Sequence, residues 1–176
     1  WTRERLFLFF GLLALCCVTR LYDLGRKPIM HDEALFVFYT EFQFVRSFTY
    51  EYLPILHGPL LLWITAGIFQ VFGTSDYTMR LAAALFGIGG FFWIWTLRGW
   101  IGQRGTWFAL AFYTVSPGLM FYQRFFRNDD LFFFLTLWIV AAMAWWWRTK
   151  SPWWAASFLI ANVLLFCNKA SSVFIY

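Results

Sequence analysis

The fold class this sequence predicts is an all-α integral membrane protein, with about five transmembrane helices and two interfacial helices in a long first external loop. Three observations predict it. Only 13% of the 176 residues are charged, whereas 61% are hydrophobic. Soluble domains carry about 25% charge, so a water-soluble globule is excluded. Aromatic residues reach 25%, with 24 Phe, 12 Trp and 8 Tyr, which excludes a disordered chain. Finally, five stretches run without charge for close to the ~20 residues needed to cross ~30 Å of hydrocarbon.

The first span is expected at about residues 6–22. Its charge-free part, Leu6–Thr19, is short, and Arg5 and Arg20 are expected to snorkel from its ends. An external loop, 23–79, follows. Within it Asp32–Phe48 has helix-forming residues and a broad apolar face, which suits a helix lying in the interface. The stretch His57–Ser75 is also charge-free and long enough to cross. If it does not cross, Arg3/Arg5, Arg98/Arg104 and Arg148/Lys150 share one side. Eight of the nine acids (Asp23, Asp32, Glu33, Glu41, Glu51, Asp76, Asp129 and Asp130) then share the other. If it crosses, that segregation is lost. The first arrangement is preferred, with His57–Phe72 as a second interfacial helix. The basic side is then cytoplasmic, as is the N-terminus, in a multi-pass protein of the cell membrane.

The remaining spans are expected at about 80–98, 105–123, 130–147 and 152–168, in a single transmembrane module. Ala82, Ala83, Ala84, Gly87, Gly89 and Gly90 supply a small-residue face for close packing. Trp145–Trp147 with Trp153/Trp154, and Trp100 with Trp107, mark an aromatic belt at the cytoplasmic interface. Cys16, Cys17 and Cys167 lie in apolar runs and read as small buried hydrophobes. The basic residues stand singly between apolar runs, a topology signal and no nucleic-acid patch. Two His residues outside the longest apolar runs give no haem or pigment ligand. The chain starts at Trp1 and stops in an apolar stretch at Tyr176, so it is expected to be part of something longer.

Ionisable residues near a membrane interior point to function. In the preferred topology three groups meet on the outer face: His31-Asp32-Glu33, the turn from Gln123-Arg124 to Arg127-Asn128-Asp129-Asp130, and Asn168-Lys169. Each has a structural reading as well. Asp32 suits the first turn of a helix, the turn residues can pair locally, Lys169 can snorkel, and His57-Gly58-Pro59 can be a turn with Pro59 opening a helix. Their convergence suggests chemistry. A carboxylate can take a proton from an acceptor, with Asp32 and Glu33 as catalytic candidates. Asp32 and Asp129, with His57 as a possible third ligand, would repel unless bridged by a divalent cation such as Mg or Mn. Lys169, Arg124 and Arg127 would neutralise a leaving phosphate.

An Asp-Glu after the first span, His57-Gly58-Pro59-Leu60, the run from Arg80 to Gly87 and Ser116-Pro117 followed by Arg124-Phe125-Phe126-Arg127-Asn128-Asp129 occur in that order, and Asn168-Lys169 completes it. This order resembles the GT-C superfamily of membrane glycosyltransferases. Similarity is greatest to the protein O-mannosyltransferase and aminoarabinose-transferase branch, and to its "flippase activity-associated" group. The resemblance spans essentially the whole chain and corresponds to the N-terminal module of such enzymes. It implies inverting hexosyl or pentosyl transfer from a polyprenyl-phosphate-linked sugar, often with a divalent metal. Asp32 takes the place of the base, Asp129 that of the second loop's acid, and Lys169 that of a basic residue near the lipid phosphate. Ala170 departs from the pattern, which leads one to expect an acid there. Two other classes stay open: a non-catalytic subunit packing against other membrane subunits, and a transporter, for which no inverted repeat is visible.

Overall fold

Ser75 shows how local chemistry starts the central helix. Its hydroxyl accepts the Thr78 N–H at 3.1 Å, and its own N–H donates to the Thr78 hydroxyl at 2.9 Å. Two of the orphan donors at a helix start are thereby satisfied. The helix that follows, α4 (Asp76–Thr96), is one of eight in this computed structural model, which describes residues 3–47, 49, 51 and 56–169. The others are α1 (Arg3–Leu21), α2 (His31–Tyr39), α3 (Leu60–Phe72), α5 (Arg98–Val115), α6 (Pro117–Tyr122), α7 (Asn128–Thr149) and α8 (Pro152–Asn168). A π-helical segment, Thr40–Arg46, continues α2. Among the described residues there is no strand.

Helix α4 is the hub: α1, α3, α5 and α7 pack on it, and α8 packs on α7. Its small residues allow this. Ala82, Ala83 and Ala84 are buried, and a Cβ on Gly87 would lie 2.8 Å from Gln123. One core cluster joins α2, α3, α4, α7 and α8 around Phe36, Leu62, Phe126 and Leu135. A second joins α1, α4 and α5 around Cys16, Phe91 and Leu110. The exterior is strongly apolar: Phe7 is 77% exposed, Phe108 83% and Trp153 83%. Helices α4 and α7 are long and apolar enough to cross a membrane, while α3 and α8 are shorter apolar helices.

Contacts sort the helix ends into two groups. At one end lie the C-terminus of α1, the N-termini of α4 and α7, and the C-terminus of α8. At the other end Trp145 of α7 donates to Thr96 O at the end of α4 and stacks on Trp154 of α8. Helix α3 leaves the first end, where Gly58 N–H donates to Asn168 O at 3.0 Å, and returns to it at Ser75. Its 13 residues rise only ~20 Å.

Several expectations change. The stretch 105–123 is not one helix. Helix α5 begins earlier, at Arg98, and turns sharply at Gly102 (φ 72°). It ends at Val115, because Pro117 holds Ser116 extended and then opens α6. Arg20 does not snorkel outward; it is fully buried, and its guanidinium donates to Gln123 Oε1 and to the carbonyls of Tyr113 and Thr114. Cys16 is buried as expected, whereas Cys167 is exposed. Pro59 precedes α3, which starts at Leu60. Trp107 pairs with Trp95 at 5.4 Å, and Trp100 faces outward. Phe48 and Ala170 lie outside the described residues.

Candidate active site

The site grows from one buried ion pair. Glu33 and Arg80 are both fully buried. Arg80 Nε and Nη2 donate to the two Glu33 oxygens at 2.8 and 2.7 Å, the bidentate geometry that a guanidinium favours. Arg80 spends its remaining donors on the carbonyls of Leu24, Lys27 and Pro28. Glu33 also accepts the N–H groups of Phe126 and Met30. Burial alone would raise the Glu33 pKa, but the Arg80 guanidinium and the two backbone donors outweigh it and hold the carboxyl below its usual range. Four segments are thereby tied together: loop 23–30, α2, α4 and the turn before α7.

This gives Glu33, expected as a catalytic candidate, a structural place in the fold. A carboxylate without exposure, with every oxygen engaged, has no face to offer a substrate. Its neighbour Asp32 sits one residue earlier on α2 and points out, with its side chain 48% exposed.

Asp32 meets α7 through Arg127. Arg127 Nη1 lies 3.2 Å from Asp32 Oδ2, and its Nε lies 3.3 Å from Asp129 Oδ2. Lys169 Nζ holds the other Asp129 oxygen at 2.6 Å. These four residues, with His57 and Asn128, line a cavity of about 70 Å³. At ~30 Å³ per water, that is room for two or three waters or a compact polar group. Helix α7 brings Asn128 and Asp129 here by opening where Arg127 is extended (φ −146°).

The cavity floor is tied by asparagines. Asn128 Nδ2 donates to Leu56 O, and Asn168 Nδ2 donates to Asn128 O. Both side-chain oxygens stay buried without a hydrogen bond. Gly58 is required here, since a Cβ would collide with the Cys167 carbonyl. The turn holds His57 in the left-handed region (φ 60°). Burial, helped by the nearby Lys169 cation, pushes the His57 pKa down.

Of the predicted residues, the structure therefore brings together Asp32, Asp129, Arg127, Lys169 and His57. Arg124 stands apart. Its guanidinium donates to Thr19 O, Tyr22 O and Asp23 O, so it caps the C-terminus of α1 and is no phosphate ligand in this arrangement. The metal assignment also meets an obstacle. Asp129 has both oxygens taken by Arg127 and Lys169, and Asp32 shares Arg127. Among the described residues no three His, Cys, Asp or Glu side chains cluster as a metal site. The donors present do not fit a divalent cation, because the bridging positive charge expected between the two carboxylates is supplied by Arg127.

Sequence reasoning missed Arg80 as the partner of Glu33, and the buried chain from Arg20 through Gln123 to the Tyr113 hydroxyl, which Gln123 Nε2 reaches at 2.8 Å. A charged residue at the edge of an apolar run was the available signal for both arginines.

The sequence profile of the dolichyl-phosphate-mannose-protein mannosyltransferase family matches residues 56–176. The chain belongs to this family. The family is one of GT-C-type membrane glycosyltransferases. His57, Arg80, Arg127, Asp129 and Lys169 lie inside the matched region, whereas Asp32 and Glu33 precede it. No curated protein and no solved structure matches the chain.

Proposed function

We propose that this protein transfers a sugar from a polyprenyl-phosphate donor, with inversion, at the outer face of the cell membrane. In this reading α1, α4, α5, α7 and α8 cross the bilayer, and α2 and α3 lie on the outer face. The return of α3 to the end it left supports that topology.

One observation carries the catalytic reading: an outward-pointing carboxylate, Asp32, stands beside an Arg127–Asp129–Lys169 array around a single cavity. Asp32 takes the proton from the acceptor hydroxyl as its oxygen bonds to the anomeric carbon. The bond from that carbon to the phosphate oxygen breaks, and the lipid phosphate leaves. Lys169 and the unpaired edge of Arg127 meet the phosphate charge. Asp129 positions both cations and touches neither the acceptor nor the sugar. No step passes through a metal.

Asp32→Asn keeps the shape and removes the basicity. Turnover of a polyprenyl-phosphate sugar by the full-length protein should fall at least ~10²-fold, with unchanged thermal unfolding. Wild-type turnover in this variant would end the proposal. A second reading, a non-catalytic membrane subunit, draws on the small cavity and the apolar exterior. Absence of turnover in the wild type would favour it.

A further inference from the structure

At the candidate site the arginines are engaged: Arg20, Arg80, Arg124 and Arg127 each donate to carbonyls or carboxylates. The opposite end of the bundle differs. Arg5 on α1 and Arg98 and Arg104 on α5 have neither an ion pair nor a side-chain hydrogen bond among the described residues. The Arg98 guanidinium lies over the face of Trp95, at 5.0 Å. Glu4, beside Arg5 on α1, lines neither hollow described below, and each guanidinium leaves up to five donors available.

Two adjoining hollows collect these cations. Arg5 and Arg98 line one of about 260 Å³, together with Trp95, Gln103, Thr106 and Trp107. Arg104 lines the other, which shares Arg5, Gln103 and Trp107 with the first. No acid lines either hollow. The left-handed turn at Gly102 (φ 72°) sets the short Arg98–Ile101 segment apart from the rest of α5, between the two arginines of that helix. Around the hollows the surface is apolar: Trp100 is 48% exposed, Ile101 47% and Phe108 83%.

We propose that this end of the protein binds the phosphate of an anionic phospholipid headgroup among Arg5, Arg98 and Arg104. Planar guanidiniums bind phosphate oxygens in pairs, and the flanking indoles suit the headgroup level of a bilayer. The apolar margin favours a phosphate with acyl chains over a free anion. The inference rests on the membrane-spanning reading above but is independent of the catalytic one.

The test uses purified full-length protein with phosphatidylcholine vesicles, with and without phosphatidylglycerol, and measures phosphatidylglycerol retained by native mass spectrometry. The double variant Arg5→Gln/Arg98→Gln should lose at least about tenfold in affinity, the scale of removing charge-assisted hydrogen bonds. Lys150→Gln removes a cation at the same end that already rests on Trp146 and Trp147, at 4.4 Å from each. It should change affinity less than about twofold, as expected for a screened surface charge. Turnover from a polyprenyl donor should be unaffected by the double variant. Retained affinity in the double variant, or an equal loss in Lys150→Gln, would overturn the site. Displacement of the lipid by inorganic phosphate at matched concentration would reassign it to a free anion and overturn the lipid assignment. Carbonate washing of wild-type membranes separates the two readings: protein that stays in the membrane but does not select phosphatidylglycerol refutes this inference alone.

Discussion

Replacing Glu33 by Gln tests the framework behind the site. The substitution keeps the volume but leaves the Arg80 charge buried without a counter-ion, and it turns an amide N–H₂ towards donors. Breaking a buried pair from one side costs ~3–5 kcal/mol. Against the ~5–15 kcal/mol that stabilises a typical domain, such a loss is visible in any unfolding measurement. The double variant Glu33→Leu/Arg80→Met removes both charges, yet five backbone groups lose their partner: the carbonyls of Leu24, Lys27 and Pro28 and the N–H groups of Phe126 and Met30. At ~1–3 kcal/mol for each group left unsatisfied, removing both charges does not restore stability, and the double variant should stay well below wild type. The pair also predicts a pH dependence. Because the Glu33 pKa is lowered on folding, its stabilisation is complete above the ordinary value of 4.5 and is lost as pH falls through the folded value. Thermal unfolding of the detergent-solubilised full-length protein, followed by circular dichroism from neutral to acid pH, measures both effects. Glu33→Gln within 1 kcal/mol of wild type, as an order-of-magnitude bound, together with an unchanged acid limb, would refute the keystone role.

Three further outcomes follow from the site. Lys169→Gln should weaken binding of the lipid-phosphate donor about tenfold, as read from donor titration, on the scale of one hydrogen bond to a charged group. Chelation with EDTA should leave turnover within about twofold of its starting value, because Arg127 already bridges the carboxylates. In a background without the native cysteines, Asp76→Cys and Asp129→Cys should both label from outside intact cells. Labelling of Asp76→Cys only after permeabilisation would reject the five-span arrangement.

The helices were legible where composition alone decides them. The apolar runs after Arg80, Asp130 and Pro152 became α4, α7 and α8, and the alanine–glycine face of α4 packs where its small residues allow it. The break at Ser116–Pro117 was legible too, since a proline opens a new helix, but an uninterrupted absence of charge outweighed it. At the site the sequence marked five residues that the fold brings around one cavity, Asp32, His57, Arg127, Asp129 and Lys169, without showing which partners hold them. Asp32 and Glu33 are adjacent and chemically alike, and only the helical turn between them sends one outward and the other into a sealed pocket with Arg80. Partners 47 residues apart, as Glu33 and Arg80 are, leave no trace in local pattern. Arg20 and Arg124 misled for a related reason. A cation at the end of an apolar run suits water and buried carbonyls equally well, and packing chooses.

The clasp on α1 bears on how Asp32 is placed along the membrane normal. Near its C-terminus three donors of Arg20 enter the bundle, and Arg124 grips the last carbonyls from outside. Towards its N-terminus Phe9 packs on Phe91 and Trp95. Sliding α1 by a single residue, ~1.5 Å, would break the polar end and misalign the aromatic one. The helix is therefore locked lengthwise, and the short tether from Tyr22 to His31 departs from a fixed height. The position of Asp32 is thus referenced to the bundle twice, by that tether and by Glu33, and in the proposed reaction this fixes the height of the base.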